Sequence, residues 1–148
     1  MRQELIFAPM GALALWTSVV LILVPIVRVF AGRRGAVADS DFKLGESARV
    51  PGWVSVPNRN YMNLLEFPLL FYVVCILYYV SHSVDRAALE LAWLYAGLRV
   101  LHSLMHLTFN IVPARALIFA ASSIAATAMW LLFLVKIFPG GIASAFAF

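Results

Sequence analysis

Apolar positions along the chain fall in four long runs, and the segments between them hold most of the charges. A helix needs about 20 apolar residues to cross the hydrocarbon core of a bilayer, and each run meets that length. The predicted spans cover residues 7–30, 61–80, 87–109 and 113–137. The pattern therefore predicts an all-α integral membrane protein, a four-transmembrane-helix bundle in which residues 1–148 form a single domain.

The first run resembles a secretory signal peptide, because Ala36, Val37 and Ala38 have the composition of a cleavage site. The run is too long for the apolar core of such a peptide, and Arg33 and Arg34 come between the run and that site. We therefore expect this segment to be retained as a helix.

Composition agrees with a membrane protein. The chain is 64% hydrophobic and only 12% charged, about half the charge of a soluble domain. Its net charge of +4 comes from arginines clustered in the loops, and in a membrane chain this indicates orientation or anionic lipids rather than nucleic acid. The single cysteine, Cys75, excludes an internal disulfide framework and a cysteine-rich metal site.

The distribution of positive charge predicts the orientation of the spans. Most arginines and lysines lie in or beside the first connection, residues 31–60, and Arg115 follows the third connection. The positive-inside rule then places loops one and three in the cytoplasm and both termini outside.

Two stripes of polar residues interrupt the apolar runs. In the third run, Arg99, His102, His106 and Asn110 follow steps of three, four and four residues, so they share one helix face. In the second run, steps of four and three place the following residues on one face: Arg59, Asn63 and Glu66. Both stripes approach the cytoplasmic side, so we expect them to converge there.

Glu66 and Arg99 are natural counter-ions on neighbouring spans, and we predict that they form a structural pair. Ionisable groups at such depth face a bundle interior or a wet cavity. The pair would fix helix register and nothing more, or it would belong to a ligand pocket; the additional histidines and Arg59 favour a pocket. Pro68 predicts a kink beside Glu66, because proline cannot donate to the carbonyl of Leu64.

The same end of the predicted bundle favours anions. The second and fourth spans both begin there, and helix N-termini attract negative charge. Pro113 suits the first turn of the fourth span. Four arginines lie near this end and predict either a multiply charged ligand or contact with lipid phosphate: Arg33, Arg34, Arg59 and Arg115.

The histidine spacing also raises the question of a metal. His102 and His106 have the i, i+4 spacing of helical zinc ligands, and Glu66 is the only obvious third ligand. No HExxH motif is present and Arg99 opposes a dication, so we predict no metal site.

Three segments together resemble the MAPEG family, the membrane-associated proteins in eicosanoid and glutathione metabolism. They are RNYMNLLEFP at 59–68, RVLHSLMH at 99–106 and PAR at 113–115. The resemblance implies a homotrimer that binds glutathione as co-substrate between subunits, near the cytosolic side. It also implies a bacterial-type member located in the inner membrane, with membrane lipids and a lipophilic small molecule as partners.

The resemblance further implies a role for each matching residue. Arg115 matches the arginine that stabilises the glutathione thiolate, and one of Arg33 and Arg34 matches a basic residue after the first helix. The positions that match residues holding or lining the peptide are Arg59, Asn63, Glu66, His102 and His106.

These roles imply a glutathione-dependent transferase or peroxidase that acts on lipophilic electrophiles or lipid hydroperoxides. Ala116, Phe67 and Phe119 occupy positions where relatives carry hydroxyl groups. The alternative is therefore a non-catalytic binding or scaffold protein that uses the same pocket for a lipid or another anion. A different thiol peptide, or a proton-coupled transport role for Glu66 and the histidines, also fits the pattern.

Overall fold

The computed structural model describes residues 2–140, which form five α-helices and contain no β-strand. The helices are α1 (Phe7–Arg33), α2 (Gly52–Leu65), α3 (Pro68–Val80), α4 (Arg86–Leu107) and α5 (Val112–Ile137). A short 3₁₀ turn at Gln3–Ile6 precedes α1, and a second one at Asp39–Phe42 lies in the first loop. The prediction for the side of the membrane on which the C-terminus lies concerns residues outside those described.

Three stretches of the described chain are long and apolar enough to cross a membrane. They are Gln3–Arg33, Gly52–Val80 and Val112–Ile137. Large apolar side chains face outward on them, with Leu15 71% exposed on α1 and Ile124 69% exposed on α5. Soluble monomeric proteins rarely expose apolar surfaces of this extent to water. The chain is therefore a multi-pass integral membrane protein, as the hydrophobic pattern predicts.

Helix α4 lies where the third span is predicted, but it is not among these three stretches. It is the most polar of the long helices, and its buried face includes Arg99, His102, Ser103 and His106. It packs chiefly against α5 and also contacts α1 and α2. Length and hydropathy thus support three of the four predicted spans.

The second predicted span begins earlier than its apolar run and is broken in the middle. Its first helix starts at Gly52 rather than at residue 61, after Pro51 in an extended conformation (φ −60°, ψ 144°). Residues 52–60 bury one face of the helix and leave the other face accessible, as an amphipathic helix does, so no unbroken apolar run marks this start. The first loop therefore covers residues 34–51 rather than 31–60.

The predicted kink at Pro68 is confirmed. Helix α2 ends at Leu65 and α3 begins at Pro68, with Glu66 and Phe67 between them. Proline lacks the N–H that would donate to the carbonyl of Leu64 and clashes with the preceding turn. Glu66 consequently lies at a helix break, where its backbone departs from regular α-helical geometry.

Buried hydrogen bonds fix α4 against its neighbours. Ser103 Oγ accepts from Trp16 Nε1 at 2.8 Å and from Asn60 Nδ2 at 2.7 Å, which ties α4 to α1 and α2. Phe71 and Tyr95 stack with ring centroids 4.4 Å apart between α3 and α4. The Ser103 hydroxyl and the N–H donors of Trp16 and Asn60 are paired with one another inside the bundle, so the rotation of α4 is well defined.

The first loop is folded rather than extended. Asp41 is buried and accepts hydrogen bonds from Ala38 N (3.0 Å) and Ser47 Oγ (2.7 Å), and Arg49 lies 3.2 Å from it. These contacts, the backbone N–H of Ala38 first, lower the pKa of Asp41 below its usual value. Arg28 also pairs with Glu46 at 3.0 Å, so the loop is fastened to the end of α1.

Candidate functional site

An open polar pocket of about 350 Å³ lies between α2, the end of α4 and the start of α5. The two predicted stripes converge at this pocket. Its lining residues are Val56, Asn58, Arg59, Met62, Asn63, Glu66, His106, Asn110 and Arg115. Five of the predicted site residues are thereby brought to one place: Arg59, Asn63, Glu66, His106 and Arg115.

Helix α2, together with Glu66 directly after it, contributes charged groups with no partner in the described chain. The side chains of Arg59 and Glu66 are exposed and form no ion pair or hydrogen bond with another described residue. Asn63 Nδ2 donates to the carbonyl of Arg59 at 2.8 Å, which fixes the amide on the same face. One cation, one anion and one amide are thus available to a ligand along about two turns of helix.

Arg115 is held in place by the turn between α4 and α5. Asn110 adopts a left-handed backbone conformation (φ 51°), which asparagine tolerates better than most residues, and its N–H donates to Met105 O at 2.8 Å. Its side-chain Oδ1 accepts from Arg115 Nη1. The Nε atom of Arg115 is buried without a hydrogen-bond partner among the described residues. One edge of the guanidinium is therefore fixed while the rest can serve a ligand.

The start of α5 follows the sequence prediction. Helix α5 begins at Val112, so Pro113 is its second residue and Arg115 lies in the first turn. An anion beside Arg115 would therefore also be close to the positive end of a long helix.

The two histidines occupy different positions. His106 lines the pocket, is only 3% exposed, and its Nδ1 has no hydrogen-bond partner in residues 2–140. His102 is buried one turn earlier, with its ring centroid 6.1 Å from that of His106 and 5.9 Å from that of Phe119. Of the two, only His106 lines the polar pocket; the His102 ring lies beside the His106 ring in the interior of the bundle.

The model of the MAPEG family matches residues 6–135, which is nearly the whole chain. The chain belongs to the MAPEG family. Membership associates it with the membrane proteins of glutathione and eicosanoid metabolism. A search of curated proteins and a search of solved structures each gave no match.

The predicted pair of Glu66 and Arg99 does not form in this MAPEG chain. Arg99 is 1% exposed, and its Nη2 donates instead to the carbonyl of Asn63 at 3.3 Å. Its guanidinium lies against the Phe119 ring, 4.9 Å from the centroid, while Nε and Nη1 have no partner in the described chain. Glu66 remains exposed at the helix break.

Arg33 and Arg34 do not line the polar pocket in this MAPEG chain. Arg34 stacks on Phe30 with its guanidinium carbon 4.1 Å from the ring centroid. Arg33 lies at the end of α1 beside separate surface cavities, near Pro25 and Val37. Within one chain, the structure therefore separates these two arginines from the other predicted site residues.

Sequence reasoning left out Asn58 and Met62, which also line the pocket. Met62 lies four residues before Glu66 and Asn58 lies four residues before Met62, so the helical period could have predicted that both share its face. The role of Asn110 as the partner of Arg115 was also missed, because it depends on the turn conformation rather than on spacing. Across the described residues no three His, Cys, Asp or Glu side chains lie together as a metal site.

Proposed function

We propose that this MAPEG protein binds glutathione in the polar pocket and presents its thiolate, stabilised by Arg115, to lipophilic electrophiles or lipid hydroperoxides. The observation that carries the proposal is the convergence of Arg59, Asn63, Glu66, His106 and Arg115 on one pocket. The chain would act as a membrane-embedded glutathione transferase or peroxidase.

The charges of the pocket complement those of glutathione. The tripeptide has two carboxylates, one ammonium group and peptide amides. Arg59 and Arg115 supply cations, Glu66 supplies an anion and Asn63 an amide, and arginine is well suited to binding carboxylates. Because Arg59 and Glu66 have no partner among residues 2–140, binding would not require an ion pair between described residues to break.

Arg115 is the best candidate for stabilising the thiolate. A guanidinium within about 4–6 Å of a thiol favours the ionised form and lowers the thiol pKa. The thiolate is the nucleophilic form, so a lower pKa increases its fraction at neutral pH. The sulfur would then form a bond to an electrophilic carbon while the bond from that carbon to its leaving group breaks. Alternatively, it would take the terminal oxygen of a hydroperoxide together with its proton, and leave a lipid alkoxide to be protonated.

The proposal includes the assembly implied by the family resemblance. Residues 1–148 would form one domain with α4 as the fourth span, and three copies would form a homotrimer. Loops one and three would face the cytoplasm of a bacterial cell, with both termini outside and surrounding lipids as partners. Arg33, Arg34 and His102 would then act from a neighbouring subunit or from behind the pocket wall.

The role of Arg115 can be tested by the ultraviolet absorbance of the thiolate when purified protein is titrated with glutathione. In Arg115→Ala we expect the pKa of the bound thiol to rise by about one unit, which corresponds to about 1.4 kcal/mol, and the absorbance at saturation to fall at neutral pH by up to about tenfold. Arg115→Lys keeps the positive charge and should retain part of the signal. An unchanged thiolate signal in Arg115→Ala would remove Arg115 from this role.

A non-catalytic binding protein is the second candidate. Phe67 and Phe119, which lack hydroxyl groups, pack with ring centroids 6.2 Å apart near Arg99. Thiolate stabilisation would then rest on Arg115 alone. Calorimetric binding of glutathione without any thiolate absorbance would favour this candidate, and no binding at millimolar concentration would favour a lipid or another anion as the ligand.

A further inference from the structure

Arg99 carries a positive charge in the interior of the bundle that no described acidic residue balances. Its side chain is almost fully buried, and it forms no ion pair among residues 2–140. A guanidinium stays protonated in proteins, so this charge cannot be removed by loss of a proton, as the charge of a buried lysine can. Because a buried charge without a counter-ion is unfavourable, the position favours the uptake of an anion.

Several hydrogen-bond donors beside this charge lack an acceptor. Arg99 Nη2 donates to the carbonyl of Asn63 at 3.3 Å, whereas Nε and Nη1 are buried without a partner in the described chain. The hydroxyl of Tyr95, one turn earlier on α4, is also buried without a partner there, and it lies close enough to interact with the guanidinium. We call these groups of Arg99 and Tyr95 the donor cluster. An anion needs only donors, so it matches this cluster.

Aromatic rings surround the donor cluster and limit the size of its ligand. The guanidinium carbon of Arg99 lies 4.9 Å from the ring centroid of Phe119 and 5.7 Å from that of Phe67. These rings supply no hydrogen-bond donor. A polyatomic oxyanion would bring more oxygen atoms than the cluster can pair, and an unpaired buried oxygen is costly. A monatomic anion fits the few donors present.

The donor cluster is separate from the polar pocket, which neither Arg99 nor Tyr95 lines. Glu66 lines that pocket and is exposed, so it does not fill the place of a counter-ion. An anion in the cluster would use none of the groups proposed to hold glutathione. Its binding is therefore independent of the proposed function.

We infer that a chloride ion binds in the donor cluster and accepts hydrogen bonds from a free N–H of Arg99 and from the hydroxyl of Tyr95. The ion balances the buried charge of α4. It also stabilises the contact of α4 with α3, because Tyr95 stacks on Phe71 and Arg99 lies against the ring of Phe67. Its role is structural, and it takes part in no chemical step.

Thermal unfolding of the full-length protein in nanodiscs tests the inference, with tryptophan fluorescence as the signal. Sodium chloride would replace sodium gluconate at constant ionic strength, since gluconate is too large for the cluster. In the wild type we expect the Tm to rise with chloride and to level off about 5 °C higher, as for a ligand that binds only the folded state. A Tm independent of chloride, or a larger rise with formate than with chloride, would overturn the inference.

Two substitutions on α4 locate the effect. Arg99→Met should abolish the rise and, without chloride, should unfold at or above the wild-type temperature, because the unbalanced charge is gone. Arg86→Met is the matched control: Arg86 is an exposed arginine on the same helix, paired with Glu90, so the wild-type rise should persist. An equal rise in both variants would overturn the site at Arg99.

Tyr95→Phe keeps the ring and removes one donor, so it tests the cluster without removing the charge. We expect the chloride concentration at half of the Tm rise to increase about tenfold, the value of one hydrogen bond to a charged group. Crystals of the wild type grown in bromide should show an anomalous peak beside the Arg99 guanidinium. Absence of that peak would overturn the inference, and a Glu66 carboxylate or water found in its place would identify the group that balances the charge.

Discussion

Arg99 shows how the structure distributes its charges at the scale of single residues. A buried charge without an ion-pair partner is costly, and cation–π contacts and one backbone hydrogen bond offset only part of that cost. Its partners are the aromatic rings of Tyr95, Phe67 and Phe119 and the carbonyl of Asn63. The result leaves Glu66 free at the pocket, where the proposed function needs an unpaired carboxylate.

A double-mutant cycle between Glu66 and Arg99 would measure whether they interact. We expect the effects of Glu66→Gln and Arg99→Met on unfolding free energy to add within about 0.5 kcal/mol, because the two side chains do not touch. Methionine fills much of the arginine volume and limits the cavity. Chemical denaturation of the purified protein gives the four values, and a coupling above 1 kcal/mol would restore the predicted pair.

Spacing alone led to the wrong pairing. It identified Arg99 and Glu66 as facing residues on neighbouring helices, but Arg99 is buried in the core, and of the two Glu66 alone lines the polar pocket. Pro68 predicted the break beside Glu66, but spacing does not give the side-chain rotamers, and these decide which groups touch. The same spacing did place Arg59, Asn63 and His106 on one pocket, because that result needs only the helical period.

The break between α2 and α3 is the main feature at the scale of elements. It turns the chain by interrupting regular hydrogen bonding at Glu66 and Phe67, and it leaves Phe67 packed near Arg99. Glu66 is thereby at the end of a helix rather than within one. The orientation of its carboxylate toward the pocket depends on this local geometry.

Replacing Pro68 by alanine would return the missing N–H to the backbone. We expect Pro68→Ala to extend regular helix through residues 64–68, shift Glu66 and weaken glutathione binding about tenfold, or about 1.4 kcal/mol. Calorimetry measures the affinity. Pro25→Ala is the control, because Pro25 lies within the continuous helix α1 and outside the polar pocket; equal losses in both variants would contradict a specific role for the break.

Helix boundaries were predictable where a strong local signal marks them. The ends of α4 and α5 lie within two residues of the prediction, because Asp85 caps α4 and Pro113 sits in the first turn of α5. The start of α2 was missed by nine residues, from 61 to 52. No apolar run marks it, since the first turns of α2 pack one face against the bundle and expose the other.

At the scale of the molecule, the loop 34–51 and the α4–α5 turn lie at one end, and the α3–α4 turn lies at the other. The polar pocket is at the first end. With the membrane across the bundle, the polar pocket is near one interface, where a water-soluble peptide and a lipid can meet. This arrangement supports the proposed pairing of glutathione with a lipophilic substrate.

Variants with one added cysteine would test the proposed orientation in intact bacterial cells. Leu44 is 98% exposed in the first loop, and Ser81 is exposed at the opposite end. A membrane-impermeant maleimide should label Ser81→Cys in intact cells and label Leu44→Cys only after the membrane is opened. The wild type, whose only cysteine is buried, should stay unlabelled in both conditions; the reverse labelling would invert the proposed orientation.

The burial of Cys75 has a consequence for the durability of such a protein. Its side chain is fully enclosed among apolar neighbours in α3, and the sequence contains no other cysteine. A protein that brings reactive lipids to a thiolate risks alkylation or oxidation of its own thiols. With its only sulfhydryl enclosed, this chain would offer such reagents no thiol that competes with the thiol proposed to bind in the polar pocket.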